Sequence, residues 1–482
     1  LYIELFATVA AELRAGADKL LQVPRGCFEQ SVSSTYPNVF ALQLMKSGTV
    51  RDEQAERLAL RYVGLGYQRM LSYEVHGGGF DWYGEGPADL GLTAYGLLAL
   101  QDIATLIPVD ERVLARTRSW LLGRQRLDGH FAPPDESSPS HRRTEHALRT
   151  TAYVAWALAA AHTDDPRLDR ALNVIATAQS ADPYTMVLAA NALVAAGRSK
   201  EANEQLSRLV GLVRPNEDEA PWSSDVAGMF HSRGRSLSIE ITALAAHALV
   251  RARAHLPTAQ RAIEWLARNR DDRGAWYTTS ATIACLRALA AAAAQGETKF
   301  PIVLSVQANG QSVPAVEITE DTSDVVRLVS LRDFVRAGSN AVAVVPQRDV
   351  PLLAQIVAVH YVPWAEVSAN AAAGSPMKLS VSYDRTELDR GAIARGRATL
   401  TWQGDKPVEM PIVQIGVPPG LSVEVESLDE LRSDKRIEGY ALEGRGITMY
   451  LPTLLRNMRY HYEFELRGRY AVRAQAPPSR AY

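Results

Sequence analysis

The spacing of apolar residues changes near residue 297 and divides the chain into a helical part and a β part. Before this point the sequence is rich in alanine and leucine at helical spacing, as in Leu92–Leu100 and Ser238–Arg251. After it, β-branched apolar residues alternate with polar or small ones, as in Ile302–Val306, and Asn309–Gly310 gives a tight-turn signal. A chain of 482 residues is too long for one ordinary core. We therefore expect about two to four domains.

The helical part contains a loose repeat, in which a turn with an aromatic residue precedes a helix of small residues. The four turns contain these aromatic residues: Phe80, Phe131, Trp222 and Trp276. Each precedes a small-residue segment with a threonine: Thr93, Thr151, Thr242 and Thr282. Small residues let helices pack closely, and an aromatic side chain covers the apolar layer between neighbours. Such units close into an α/α ring of helical hairpins, with an ordinary alanine-rich bundle as the alternative.

The β part is expected to divide again. Val367–Pro376 is small, polar and without an alternating pattern, as is typical of a linker. The sequence thus predicts a multidomain α + β chain, with an α/α-toroid of helical hairpins over residues 1–297 and two β-sandwich-type domains over residues 298–366 and 367–482. The first residues, within the amphipathic segment Leu1–Leu21, fit a linker from a preceding β domain.

Charge and cysteine content exclude several classes of protein. A net charge of −2 gives no electrostatic basis for binding nucleic acid or an acidic membrane. No apolar run reaches the roughly 18 to 20 residues that span a bilayer. The two cysteines make no disulfide framework, and we expect Cys285 to be buried on an apolar helix face. The sequence lacks HExxH, paired CxxC and phosphate-loop motifs, so we expect no metal and no cofactor.

The stretch Pro24–Gln30 carries the clearest chemical signal. Pro24 and Gly26 set a turn, and apolar residues at helical spacing follow it. Cys27 and Gln30 are three residues apart, so their side chains can meet in one helical turn. A helix N-terminus is also expected to lower the pKa of the Cys27 thiol and expose its sulfur.

A cysteine sulfur held against a glutamine carboxamide can displace ammonia and leave a thioester, because proximity makes even this poor acyl donor react. Any amine or hydroxyl that reaches the Gln30 carbonyl can then take the acyl group and release the Cys27 thiol. Water can do the same, so the protein must enclose the bond. On spacing alone, a packed thiol at Cys27 is the competing interpretation.

The surroundings of Cys27 resemble a known family. Gly26–Gln30 looks like the GCxEQ thioester signature of the α2-macroglobulin and complement family, with Pro24 before it and Tyr36–Asn38 after it. Further segments are similar to the bacterial branch of that family: Gly78–Gly84 with Leu92–Leu97, Ser232–Leu237 and Gln475–Tyr482. The resemblance covers nearly the whole chain.

This resemblance implies an α/α-toroid thioester domain, a small CUB-like β domain and a C-terminal β-sandwich like the macroglobulin and receptor-binding domains. The chain would be the C-terminal part of a longer protein whose protease-sensitive bait segment lies upstream. The implied function is a broad-spectrum protease inhibitor, not an enzyme, whose Cys27–Gln30 thioester captures attacking proteases once, through their lysine amines. The resemblance further implies a monomer in the periplasm or cell envelope, with a lipid anchor in the missing N-terminal part as an option.

Several residues are candidates for assisting this chemistry. In some family members a histidine well beyond the cysteine in sequence attacks the thioester first. His141 is in the right region, with His130 and His146 nearby, but its surroundings depart from the complement pattern and fit a solvated polar loop. Without such a histidine, lysine amines attack directly. Glu29 either orients the Gln30 carbonyl and tunes the local field, or is a first-turn acid favoured by the helix dipole.

Aromatic residues are candidates for shielding the bond. Phe28 either shields it from water or anchors the turn. The family also suggests shielding by aromatic residues of the C-terminal domain, although packing in strand cores explains most of these candidates: Tyr440, Tyr450, Tyr460 and Tyr462.

Two other functions are compatible with the sequence. One is an α/α-ring enzyme in which Cys27, with a nearby histidine, is a nucleophile. The other is a module that binds a partner non-covalently, with Cys27 in a structural role.

Overall fold

The structure is a computed structural model, and the residues it describes are 1–7, 21–47, 53–131, 140–214, 220–270, 276–293, 300–323, 326–348, 352–358, 376–405, 407–408, 411–443 and 446–482. The predicted linker lies outside the described residues except for Pro376. The chain forms two compact units, Leu1–Val359 and His360–Tyr482.

The first unit contains a run of helices: α1 (Phe28–Ser47), α2 (Glu53–Leu71), α3 (Leu90–Ala104), α4 (Glu111–Leu122), α5 (Ser140–Ala160), α6 (Pro166–Thr177), α7 (Pro183–Ala195), α8 (Ser199–Val210), α9 (Gly234–Ala252), α10 (Leu256–Arg268) and α11 (Thr279–Ala293). Helices such as α3, α7 and α9 are buried at most positions, whereas α4, α6 and α10 bury one stripe each. Aspartate side chains accept backbone N–H groups at the starts of four helices: Asp89, Asp110, Asp165 and Asp182.

The buried helices form a closed ring. Helix α1 packs on α3, α3 on α5, α5 on α7, α7 on α9 and α9 on α11, and α11 returns to pack on α1. The guanidinium of Arg287 on α11 donates to the hydroxyl of Tyr36 on α1 at 2.9 Å across this closure. The remaining helices cover the outside. The predicted α/α-toroid is therefore confirmed.

The repeat seen in the sequence has a structural cause. In three units the backbone N–H of the aromatic residue at the turn donates to the threonine hydroxyl on the following buried helix: Phe80 to Thr93 at 2.9 Å, Phe131 to Thr151 at 2.8 Å and Trp276 to Thr282 at 3.1 Å. In the remaining unit the buried indole of Trp222 donates its N–H to the carbonyl of Leu209 at 2.8 Å. These bonds fix each turn on the ring.

In the β part of the first unit, the described residues form two antiparallel sheets with these strands: β1 (Tyr2–Phe6), β2 (Ile302–Ala308), β3 (Gln311–Ile318), β4 (Arg327–Ser330), β5 (Val342–Pro346) and β6 (Leu353–Val357). The sheet orders are β4-β1-β6 and β3-β2-β5, around one shared apolar core. Residues 2–6 thus lie in a sheet with strands that follow the helical ring, although the sequence grouped them with the ring. The domain limits themselves stay a prediction.

The second unit is a β-sandwich of two four-stranded antiparallel sheets, ordered β10-β13-β8-β7 and β11-β12-β9-β14. Its elements are β7 (Met377–Tyr383), β8 (Ile393–Trp402), β9 (Ile412–Gly416), β10 (Leu421–Glu424), α12 (Val425–Ser433), β11 (Gly439–Glu443), β12 (Gly446–Tyr450), β13 (Arg459–Gly468) and β14 (Arg480–Ala481). Side chains alternate along β13, where Tyr462, Phe464 and Leu466 are buried in the core between the sheets.

Candidate functional site

The turn before α1 places Cys27 at the N-terminus of this helix. Gly26 has a φ of +85°, a left-handed conformation that glycine adopts readily. Cys27 directly precedes the first helical residue, and its carbonyl accepts the N–H of Ser31 at 2.8 Å. Cys27 is only 3% exposed, whereas Gln30 is half-buried. The sulfur is therefore enclosed while the glutamine remains near the surface.

The carboxamide of Gln30 is folded back across this turn. A β-carbon added to Gly26 would lie 2.9 Å from Cδ of Gln30, so the carboxamide rests against the glycine. The backbone N–H groups of Glu29 and Gln30 lie close enough to the Cys27 sulfur to act on its thiol pKa. The two side chains singled out in the sequence are therefore gathered around one turn.

Burial raises the pKa of the Cys27 thiol to about 12, because the thiolate would lose its hydration, and the nearby negative charge of Glu29 raises it further. The backbone N–H groups of the helix start oppose this shift without overcoming it. The expectation of a lowered pKa and an exposed sulfur is therefore wrong. A neutral sulfur, as thiol or as thioester, is the favoured state here.

The carbonyl of Gly26 is held by side chains that the sequence analysis did not identify. It accepts hydrogen bonds from the Arg69 guanidinium at 2.8 Å, from the Tyr73 hydroxyl and from the Ser31 hydroxyl at 3.2 Å. Arg69 also donates to the Ser31 oxygen at 3.0 Å. Arg69 lies on α2 and Tyr73 just beyond it, where neither has a distinguishing local pattern. Only the packing of α2 on α1 reveals them.

Phe28 anchors the same turn in the core. Its ring is fully buried and stacks on Phe80 with centroids 4.7 Å apart, with Tyr73 edge-on at 6.1 Å. Its backbone N–H donates to the carbonyl of Trp82 at 2.9 Å. A β-carbon on Gly96 would lie 2.8 Å from the Phe28 ring, so the glycine of α3 makes room for it. The aromatic turn at residues 80–82 therefore supports the start of α1 directly.

Glu29 points from the first turn of α1 toward the start of α11. Its Oε1 accepts the Ser33 hydroxyl at 2.6 Å and the Thr279 hydroxyl at 3.3 Å. The Ser33 oxygen lies 3.0 Å from the Tyr95 hydroxyl. Glu29 is half-buried, and desolvation raises the pKa of its carboxyl although both hydroxyls oppose the shift.

The three histidines named as possible relays, His141, His146 and His130, lie in different local structures. His141 lies in the first turn of α5, so its backbone is helical where a loop was the competing expectation. Its side chain is outside the described residues. His146 on the same helix is exposed, and Nδ1 of His130 lies 3.5 Å from a carboxylate oxygen of Asp128. The role of His141 stays a prediction.

Other residues from the sequence analysis lie in apolar cores. Cys285 is fully buried in the helical ring, as predicted. In the second unit, Tyr450 and Tyr462 are buried. The hydroxyl of Tyr440 donates to Asp429 at 2.9 Å, and that of Tyr460 accepts a backbone N–H. A shielding role for these tyrosines stays a prediction.

Neither a metal site nor a membrane-spanning helix occurs among the residues that the structure describes. Among those residues, no group of three or more His, Cys, Asp or Glu side chains could hold a metal ion. None of the helices described above is long and apolar enough to cross a bilayer.

Two family models of known proteins match this chain, one over its helical part and one near its C-terminus. A family model for the A-macroglobulin TED domain matches residues 2–291, and one for the A-macroglobulin receptor binding domain matches residues 406–480. Ovostatin from Gallus gallus is 26% identical over 291 residues, which is 57% of this chain and 20% of ovostatin. This chain therefore spans about a fifth of that curated relative.

Solved structures share the fold. Native alpha-2-macroglobulin from Escherichia coli, from domain MG7 to the C-terminus, matches with a TM-score of 0.64 at 15% identity, over 100% of this chain and 74% of that one. Salmonella alpha-2-macroglobulin reacted with methylamine matches with a TM-score of 0.67 at 16% identity, over 100% of this chain and 30% of that one.

Proposed function

Because this chain belongs to the A-macroglobulin family, a family of protease inhibitors, we propose that Cys27 and Gln30 form an internal thioester. In this proposal the thioester transfers the Gln30 acyl group to lysine amines of attacking proteases. Each molecule reacts once, so the protein consumes itself as an inhibitor and does not turn over as an enzyme.

One observation carries this proposal, namely the Gln30 carboxamide folded across the turn that holds the buried Cys27. Proximity of this kind replaces a bimolecular encounter and is worth up to about 7–11 kcal/mol of a reaction barrier. The Cys27 sulfur attacks Cδ of Gln30, the C–N bond breaks, and ammonia leaves with the thiol proton. Burial of the sulfur side of the new bond then limits the access of water to it.

The transfer step is balanced without a cofactor. A neutral amine attacks Cδ of Gln30, an amide bond forms, and the C–S bond breaks with its electron pair on the Cys27 sulfur. The amine proton ends on that sulfur as the thiol is restored. One solved structure of the Salmonella relative is that of the protein reacted with methylamine, a small primary amine of this kind.

The thiol pKa of about 12 supports this chemistry over an enzyme with Cys27 as a turnover nucleophile. A catalytic cysteine needs a ready thiolate, which burial disfavours here. A thioester sulfur carries no charge and tolerates the same burial.

For the whole protein, membership of the family supports a wider proposal. We propose that cleavage of an upstream bait segment exposes the thioester, that the captured partners are proteases, and that the inhibitor is a monomer of the periplasm or cell envelope. Lysine amines are the preferred acceptors, with His141 as an untested relay to hydroxyls.

Intact mass tests the thioester directly. Freshly purified protein should weigh one ammonia less than its sequence, and methylamine should add one molecule at Gln30. In a Cys285→Ala variant the only remaining cysteine is Cys27, so thiol titration reports on that residue alone. It should find no thiol before methylamine and one afterwards.

The Cys285→Ala variant can also contradict the proposal. A full sequence mass together with one titratable thiol in untreated Cys285→Ala protein would refute the thioester. Cys27→Ala serves as the control for capture, because it should abolish any protease adduct that survives denaturing electrophoresis.

A further inference from the structure

Glu29 lies between Cys27 and Gln30 in sequence, in the first turn of α1, in a setting suited to proton transfer. Its carboxylate lies near enough to the Cys27 sulfur for its charge to raise the pKa of the thiol. The Ser33 and Thr279 hydroxyls both bind Oε1. Within the described residues no hydrogen bond is made to Oε2. The carboxylate is therefore held through one oxygen, and the residue is half-buried.

We infer that the Glu29 carboxylate carries the proton of the attacking amine and thereby favours amines that arrive as ammonium ions, such as lysine side chains. This inference rests on the proposed thioester and names a role that the thioester alone does not require. A lysine is protonated at neutral pH, with a pKa of about 10.4, and cannot attack until it loses a proton. A half-buried carboxylate both attracts the ammonium ion and accepts that proton.

The proton balance is complete with this one group. The ammonium gives a proton to Glu29, and the neutral amine attacks Cδ of Gln30. As the C–S bond breaks, the carboxylic acid returns its proton to the departing Cys27 sulfur. The amide nitrogen releases its second surplus proton to solvent. Proton delivery matters because the buried thiolate, with a thiol pKa of about 12, is a poor leaving group without it.

The other titratable groups that face Glu29 do not change their protonation state at acidic pH. These are Cys27, whose thiol pKa is raised to about 12, and Tyr95 and Tyr153, whose pKa values burial raises above that of an ordinary tyrosine. Desolvation also raises the pKa of the Glu29 carboxyl, so it accepts a proton more readily than an exposed glutamate. It acts as the base only above this raised pKa.

The pH dependence of methylamine incorporation tests this inference at a fixed total amine concentration. In wild-type protein the rate should level off above the pKa of Glu29, because ammonium ion and carboxylate then coexist. In Glu29→Gln the rate should instead climb about tenfold per pH unit toward the amine pKa, as free amine accumulates. At pH 7 the variant should react about 100-fold more slowly, at the lower end of general acid–base effects.

Hydroxylamine is the matched second nucleophile, because it is largely neutral at pH 7. Its rate should fall less than that of methylamine in Glu29→Gln, since only delivery of the proton to sulfur is lost while no proton has to be taken from the nucleophile first. Equal losses for both nucleophiles, or unchanged methylamine kinetics, would overturn the role of Glu29. The exposed Glu53→Gln is the control and should behave as wild type.

Intact mass before each measurement separates this inference from the proposed function. A wild-type protein without the ammonia deficit contradicts the thioester itself. If Glu29→Gln alone lacks the ammonia deficit, it forms no thioester and its transfer rates cannot be measured. Ser33→Ala and Thr279→Val then test the inference, because they keep the Glu29 carboxylate and remove the hydroxyls that hold it. Each should slow methylamine more than hydroxylamine, and unchanged rates in both variants would refute the inference.

Discussion

A β-carbon added to Gly26 would lie 2.0 Å from Oε1 of Gln30, so the glycine provides the space in which the Gln30 carboxamide rests. No side chain fits in that space. The positive φ of Gly26 adds a second constraint, because residues other than glycine adopt this conformation at a cost.

Gly26→Ala should therefore prevent thioester formation. The added methyl group pushes the carboxamide away from Cys27, and we expect full-mass protein with one thiol at Cys27 instead of the ammonia deficit. Gly64→Ala is the matched control, because a β-carbon there meets nothing within 4 Å in the middle of α2. It should keep the thioester and raise stability by up to about 1 kcal/mol. A full ammonia deficit in Gly26→Ala would contradict this reading of the turn.

The sequence predicts this turn because its determinants are local. Cys27, Gln30 and the glycine beside them lie within five consecutive residues, and the repeat of aromatic turns and threonines is likewise set by short-range hydrogen bonds. Both patterns are therefore visible without coordinates.

Other features depend on contacts between distant residues and are invisible in the sequence. Arg69 reaches the Gly26 carbonyl from 43 residues away, through the packing of two helices. The raised pKa of Cys27 depends on how completely the ring encloses it, so helix position alone gave the wrong direction. Strand β1 pairs with residues more than 300 positions later, such as Ile3 with Val329, and no local signal encodes that partner.

Removing the donors to the Gly26 carbonyl should slow thioester formation. Arg69→Met keeps the apolar stem and loses a charge-assisted hydrogen bond of about 1.5–3 kcal/mol, which corresponds to roughly tenfold or more in rate. Tyr73→Phe keeps the ring against Phe28 and should have a smaller effect. The ammonia deficit is followed by mass during refolding. Arg112→Met, an exposed arginine, is the control, and equal rates in all three variants would show that the carbonyl contacts do not position the turn.

Breaking the ion pair between Arg287 and Asp102 should destabilise the helical ring. The two groups are 2.6 Å apart with side chains 15% and 24% exposed, and the guanidinium lies over the Tyr36 ring at 5.3 Å. Asp102→Asn leaves the cation without its counter-charge and should cost about 2–4 kcal/mol, because some solvent contact moderates the penalty of a buried charge. Denaturant unfolding measures this loss. Glu53→Gln, which breaks an exposed pair with Arg57, should leave the midpoint unchanged.

His247 should make the stability of the ring depend on pH. Burial, together with the charges of Arg287 and Arg251, lowers the pKa of its imidazole from 6.5 to about 3, and Nδ1 lies 2.6 Å from Oδ1 of Asn191. The unfolded chain takes up a proton below pH 6.5 that the folded chain refuses until about pH 3. The contribution of His247 to the free energy of unfolding is therefore fully present above pH 6.5. It is lost as the pH falls toward 3, by at most about 1.4 kcal/mol per pH unit.

His247→Gln removes this proton uptake while keeping a polar side chain of similar reach. Denaturant unfolding at pH 7, 5.5 and 4 should show the stability difference between wild type and variant shrinking as the pH falls, because only wild type loses the His247 contribution. Comparing the two proteins cancels the opposite effect of buried carboxyls such as Glu240, whose pKa is raised by desolvation. A constant difference between wild type and His247→Gln would mean that the folded ring accepts a proton at this position.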